Sequence, residues 1–167
     1  MTTADHPDQP AEPPASAGSP ISIIHLNPSF EAFGLVLDFL SRVAPFSTFE
    51  VETLANVIRM QLRDSYHLAA MQGSVMIGYA GWLRTTTAEA NAWTEGRGIL
   101  IARHGPDADA AALTVFAVTD PEATRRLIHG ARELNKGVRV FFKRELTTSG
   151  TIPRKASVLN FQRDDAE

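Results

Sequence analysis

Residues 112–143 read ALTVFAVTDPEATRRLIHGARELNKGVRVFFK, and this stretch decides the fold class. ALTVFAVT is a β-branched, apolar run of strand length. Asp120-Pro121 then sets a capping side chain before an imino acid at the first helical position, where a missing N–H costs nothing. Leu127, Ile128, Ala131 and Leu134 recur at helical spacing, and Gly137 supplies a stop. VRVFFK alternates at its start as a strand does. A strand, a helix and a strand in this order form an α/β layer.

Working outward, SYHLAAM and SVMIGYAGWL are two strand-like runs with Gln72-Gly73 between them, a hairpin. Before the hairpin, Ser47-Thr48-Phe49-Glu50 has the form of a capping box, with Phe46 and Val51 placed as a hydrophobic staple. Val51, Leu54, Ala55, Ile58 and Leu62 are the apolar stripe of the helix that follows, to about Arg63. An earlier helix is expected from Asn27-Pro28, with Phe30, Phe33, Leu37 and Leu40 inward, after a short extended run ISIIH at 21–25. Thr85-Thr86-Thr87 caps a short helix through Trp93, GILIA at 98–102 reads as a strand, and a last strand is expected around 156–161. The expected fold is α/β, a mixed and mainly antiparallel sheet with helices packed on it.

Residues 1–20 hold half of the ten prolines and no aromatic residue, so they read as a disordered tail. One domain is expected over 21–163, with 164–167 a second short tail. There is no cysteine, which excludes a disulfide framework and thiolate chemistry. No secretory signal pattern and no membrane-length apolar run is present, so the default location is the cytoplasm. The net charge of -3 hides an asymmetry. The stretch 121–163 carries ten Lys and Arg, among them Arg125, Arg126, Arg132, Lys143 and Arg144, against three acidic residues. An excess of this kind steers an acidic partner, or else is a solvated helix face and basic tail. A nucleic-acid partner fits less well, because only Phe141, Phe142 and Phe161 interleave with these charges and the whole chain is acidic.

Over about residues 34–161 the order of elements resembles the toxin-activating lysine acyltransferases, enzymes that attach fatty acyl groups to lysines of pore-forming repeat toxins. The resemblance rests on Ala44-Pro45-Phe46, Tyr66, the run Ile77-Gly78-Tyr79-Ala80-Gly81-Trp82, the unit 112–142 and Arg154-Lys155-Ala156-Ser157. It implies an acetyltransferase-like fold, acyl carrier protein as acyl donor, a protein acceptor with a target lysine, and the basic stretch as the donor's dock. A homodimer is compatible with it; no cofactor and no metal is implied. The turn Thr119-Asp120-Pro121-Glu122 agrees, since a glycine-free turn with two carboxylates repels the pyrophosphate of coenzyme A. The family's catalytic pair is a histidine before the second helix and an aspartate on a later strand. Here those places hold Ser47 and the run 114–117, which has no acidic residue.

A relocated base is therefore required for activity, and histidine suits the removal of a proton from a lysine. His25 and His67 are the candidates; His6 lies in the tail, His104 in a loop and His129 on a polar helix face. Ser47 and Asp120 are accounted for as helix caps, and Tyr79 and Trp82 as core. No cluster has metal-ligand spacing. The alternative to an enzyme is a family member that has lost its chemistry and binds proteins as an adaptor or regulator.

Overall fold

A computed structural model describes residues 19–144 and the backbone of a strand at 155–159. Of the tails expected at 1–20 and 164–167, residues 1–18 and 164–167 lie outside the described residues. The elements run β1 (Ile21–Ile24), α1 (Phe30–Ser41), a single 3₁₀ turn (Phe46–Thr48), α2 (Val51–Arg63), β2 (His67–Gln72) and β3 (Val75–Thr85). They continue with α3 (Thr87–Thr94), β4 (Ala110–Val118), α4 (Pro121–Leu134), β5 (Arg139–Arg144) and β6 (Lys155–Leu159). The six strands form one sheet in chain order, antiparallel throughout except for the parallel pair β4–β5. This is the mixed, mainly antiparallel α/β layer expected from the sequence.

Helices α1 and α2 cover one face, burying Val36, Phe39, Leu40, Leu54, Ile58 and Leu62 against Ala69, Tyr79 and Val115 of the sheet. Helix α4 covers the other, with Ala123 and Leu127 on Leu68, Ala80, Trp82 and Val140. A small cluster of Ala90, Ala110 and Phe141 seats α3. Strand alternation sends Val140 to the α4 cluster and Phe141 to the α3 cluster.

Several elements follow their local signals. Asp120 caps α4 by accepting from the N–H groups of Glu122 (2.7 Å) and Ala123 (3.1 Å). Thr86 and Glu89 form a reciprocal capping box at α3. Gly137, at φ +77°, follows the end of α4 in the left-handed conformation that glycine tolerates.

Three expectations are corrected. Helix α1 starts later than Asn27-Pro28, because Ser29 is the cap that accepts from Ala32 N–H (3.0 Å). Its inward stripe is also rotated: Phe30 is 91% exposed while Ala32, Val36, Phe39 and Leu40 are buried. The Ser47 capping box does not form. Burial of Phe46 draws Phe46–Thr48 into a 3₁₀ turn, Glu50 occupies the cap position without a side-chain bond, and Val51 is 68% exposed. The strand expected at 98–102 is absent, with Ile99 and Ile101 exposed. Pairing of β2 with β3 ends at Gly81, which leaves the β3 edge open at Arg84, and the segment meets it through Arg103 N–H to Arg84 C=O (2.8 Å) without forming a ladder.

A β-bulge interrupts β3–β4: Gly81 opposes Val115 while Trp82 opposes Leu113, which leaves Thr114 as the extra residue. The parallel register of β4 with β5 covers Ala110–Leu113 and Arg139–Phe142, so it stops where the bulge begins. Gly81 is needed here, because a Cβ would fall inside van der Waals contact with the Gln61 carboxamide, which is itself hydrogen-bonded in place. Gly81→Ala is expected to cost about 2 kcal/mol through overpacking and lost hydrogen bonds. A lowered urea midpoint with unchanged slope is the measurement that checks it.

Candidate active site

The residues around the bulge form a buried polar column on the α1/α2 side of the sheet. Gln61, on the last turn of α2, is fully buried. Its Oε1 accepts from the Tyr79 hydroxyl (3.1 Å) and its Nε2 donates to Thr114 Oγ1 (2.9 Å). The Tyr79 ring, also fully buried, stacks on His67 with centroids 5.9 Å apart. Burial raises the Tyr79 phenol well above its ordinary range, so it stays a neutral donor.

His67 opens β2 in the same row of the sheet as Gly81 and Val115. Its side chain is wholly buried. Nε2 accepts from Leu26 N–H (2.9 Å), and that bond requires an unprotonated nitrogen there. The proton must then sit on Nδ1, which donates to Gln61 C=O (3.0 Å). Both ring nitrogens are engaged with backbone, and burial pushes the imidazole below its ordinary value of 6.5. In this arrangement His67 ties the lead-in to α1 and the end of α2 onto β2, with no lone pair left for a substrate amine. His25 is exposed and meets the His67 ring edge-on, with centroids 5.5 Å apart. Of the two candidate bases, His25 is the one that solvent reaches.

The basic residues do not gather into one patch. Arg125 and Arg126 both pair with Glu122, and Arg126 also donates to Ile21 C=O (2.9 Å). With Ile23, His129 and Gly130 they line an open groove of about 480 Å³ between α4 and β1. Arg132 is exposed one turn or more further along α4. Lys143 belongs to the opposite side of the sheet, its ammonium 4.6 Å from the centre of the Trp93 ring on α3. The Arg144 side chain lies outside the described residues. Lys143 points away from α4 because of the alternation of β5, which a count of charges along the sequence does not reveal.

Beyond Leu113, β4 and β5 form no ladder among the described residues, and the two strands part there. A narrow apolar cleft of about 30 Å³ adjoins this place on the α4 side, walled by Trp82, Leu113, Phe116, Ile128 and Val140. The first N–H groups of α4 point to the same end of β4. They are already filled: Asp120 takes those of Glu122 and Ala123, and Pro121 has none.

No protein-family profile and no curated protein matches the chain. Solved structures do. The loading GNATL domain of CurA from Lyngbya majuscula aligns at a TM-score of 0.52 and 10% identity, over 74% of this chain and 64% of that one. The GphF GNAT-like decarboxylase, in complex with isobutyryl-CoA, gives 0.53 and 14% over 73% and 65%. Diaminobutyrate acetyltransferase EctA from Paenibacillus lautus, with its substrate and coenzyme A, gives 0.51 and 8% over 75% and 66%. The fold is that of the GNAT acetyltransferases. At these identities the likeness concerns the fold alone, and the chain spans just under two thirds of the length of each of these three structures. Among the described residues no helix is long and apolar enough to cross a membrane.

Sequence reasoning missed Gln61 and Thr114. The available signal was a glutamine interrupting an otherwise apolar stripe beside Leu62, together with a glycine in the middle of a strand.

The neutral, buried His67 makes stability pH-dependent. Its folded pKa lies below the unfolded 6.5, so the unfolded chain binds the proton more readily. The His67 contribution is fully present above about pH 6.5 and declines as pH falls below it. Carboxylates held low by partners, such as Glu122 and Asp109, begin to act only at more acid pH. Chemical denaturation between about pH 7.5 and 5 should show the decline, and His67→Gln should flatten the curve in that window while lowering stability overall.

Proposed function

We propose that the protein is an acyltransferase of the toxin-activating lysine type, taking a fatty acyl group from the thioester of acyl carrier protein to a lysine of a protein acceptor. The observation that carries this reading is the state of the two places where a donor would bind. Strand β4 leaves β5 at a bulge, offering backbone N–H and C=O groups to an extended thioester arm. The N-terminus of α4, where the pyrophosphate of coenzyme A would seek N–H groups, is closed by its own Asp120 carboxylate. A donor that brings a thioester arm without a pyrophosphate fits both. An acidic carrier protein would meet Arg125 and Arg126 at the groove beside β1, Arg132 further along α4, and Lys143 and Arg144 on β5, as separate contacts and not as one patch.

In the proposed reaction the acceptor lysine loses a proton to His25, the solvent-facing imidazole at the β1 end of the sheet, before its amine reaches the thioester at β4, with β2 and β3 lying between the two places. Its amine attacks the thioester carbonyl, and the developing oxyanion is held by backbone N–H groups at the bulge. Collapse of the tetrahedral species forms the amide and expels the carrier's thiolate, which takes up a proton. Such chemistry belongs in the cytoplasm, where acyl carrier protein is made.

A second reading, an adaptor that keeps the surface and has lost catalysis, is favoured by one observation. Both nitrogens of His67 are bound to backbone, and the run 114–117 offers no carboxylate.

Purified protein incubated with radiolabelled fatty acyl–acyl carrier protein and lysine-containing acceptor peptides separates the two. Transfer is expected, with the matching coenzyme A thioester a poor donor and His25→Ala slower by about 100-fold, the scale of a lost general base. Saturable binding of the carrier with no transfer at any pH from 6 to 9 would establish the adaptor instead.

A further inference from the structure

The column of buried side chains has a use beyond packing, and this inference rests on the acyl-transfer reading above. We propose that Gln61 is a positioning residue: through Thr114 it holds the β4 bulge, and so fixes the backbone N–H groups that meet the thioester carbonyl.

An apolar side chain of similar size would fill the space over Gly81 without needing partners. A carboxamide there is costly unless both of its ends are bonded. In this chain both are: Tyr79 donates to one end, and Thr114 accepts from the other. Thr114 is itself the extra residue of the bulge, and its hydroxyl lies 3.4 Å from Gly81 C=O, closing a ring of contacts across β3 and β4. The polar contacts thus converge on the point where β4 changes register.

The bulge has a directional effect. Leu113 belongs to the α4 side, and regular alternation would put Val115 there too. Instead Val115 and Ala117 pack under α1 and α2, and Phe116 and Val118 turn to α4. The insertion of Thr114 therefore rotates every later backbone group of β4 by one residue, at the place where pairing with β5 ends. Without a tether, a bulge can migrate along the ladder, and the N–H groups facing the gap would exchange with C=O groups. Gln61 supplies that tether from outside the sheet. It is anchored in turn, because its own C=O accepts from Tyr66 N–H (2.9 Å) and from His67 Nδ1 (3.0 Å). The chain His67–Gln61–Thr114 runs from the α1 lead-in to the gap through side chains that touch no substrate.

The test uses full-length protein with the substitutions Thr114→Val, which keeps the shape and removes the acceptor, Gln61→Leu, and Thr114→Ser as the conservative rescue. Transfer from acyl–acyl carrier protein should lose about 100-fold in kcat in the first two, the scale of a misplaced reactive geometry, with KM within about twofold. Thr114→Ser should restore most of it. Amide exchange followed by NMR gives a readout independent of turnover: the N–H groups of residues 114–116 should exchange faster in Thr114→Val, while those of β2 keep their wild-type rates. Wild-type rates at 114–116 in both Thr114→Val and Gln61→Leu would overturn the inference, as would a change in KM alone. If the wild-type protein transfers nothing but exchange quickens only at 114–116, Gln61 is upheld as the holder of the bulge, and it is the acyl-transfer reading that falls.

Discussion

A carboxamide taken out of water must bond both its nitrogen and its oxygen, or the fold loses about 1–3 kcal/mol for each atom left bare. Gln61 meets that condition in one geometry: laid flat over Gly81, between the Tyr79 hydroxyl and Thr114. Much else follows from it. Residue 81 has to lack a side chain, the Tyr79 phenol has to stay protonated, and the bulge has to fall at Thr114. The last turn of α2 is thereby fixed to the two central strands, and the apolar stripe of Leu54, Ile58 and Leu62 is brought down on Val115 and Tyr79 in a single register.

His67 extends the same constraint toward the N-terminus. A neutral imidazole has one donor and one acceptor, and here they are spent on two backbone groups from segments distant in sequence, Leu26 and Gln61. That makes the ring a strut between β1, α2 and β2. It also explains why a histidine in the row of the bulge is a poor proton acceptor: an added proton would face Leu26 N–H, and burial already disfavours the charge. The chemistry proposed here accordingly falls to the exposed ring of His25. At the far end of β4 the same economy closes another site, since the carboxylate of Asp120 satisfies the helix terminus that an anionic ligand would otherwise use.

Local signals were readable where a residue's partner is a few positions away. The caps at Thr86 and Asp120, the hairpin about Gly73, and the stop at Gly137 depend on backbone groups within about one turn. The failures share a cause. The Ser47 box was well formed in sequence, but the demand to bury Phe46 drew those residues into a 3₁₀ turn. In α1, Phe30 had the right spacing and the wrong side, because the lead-in is held by His67 and the helix starts two residues later than Asn27-Pro28 implies. GILIA had strand composition, but the bond to the β3 edge that β2 leaves open beyond Gly81 is made by Arg103, just past it. The basic stretch looked continuous, yet the pleat of β5 sends Lys143 to the face opposite α4.

By itself, then, the sequence determined the class of fold, the helix at 121–134 with its self-filled N-terminus, and the lack of a carboxylate at 114–117. These depend on residue type and short-range bonding, which the chain carries wherever it goes. The bulge, the column from His67 through Gln61 to Thr114, and the choice of His25 over His67 as the accessible imidazole were decided only in three dimensions. Each depends on contacts between distant segments, such as Leu26 with His67 and Gln61 with Thr114, and hydrogen bonds of that reach exist only once the sheet has set the strands side by side.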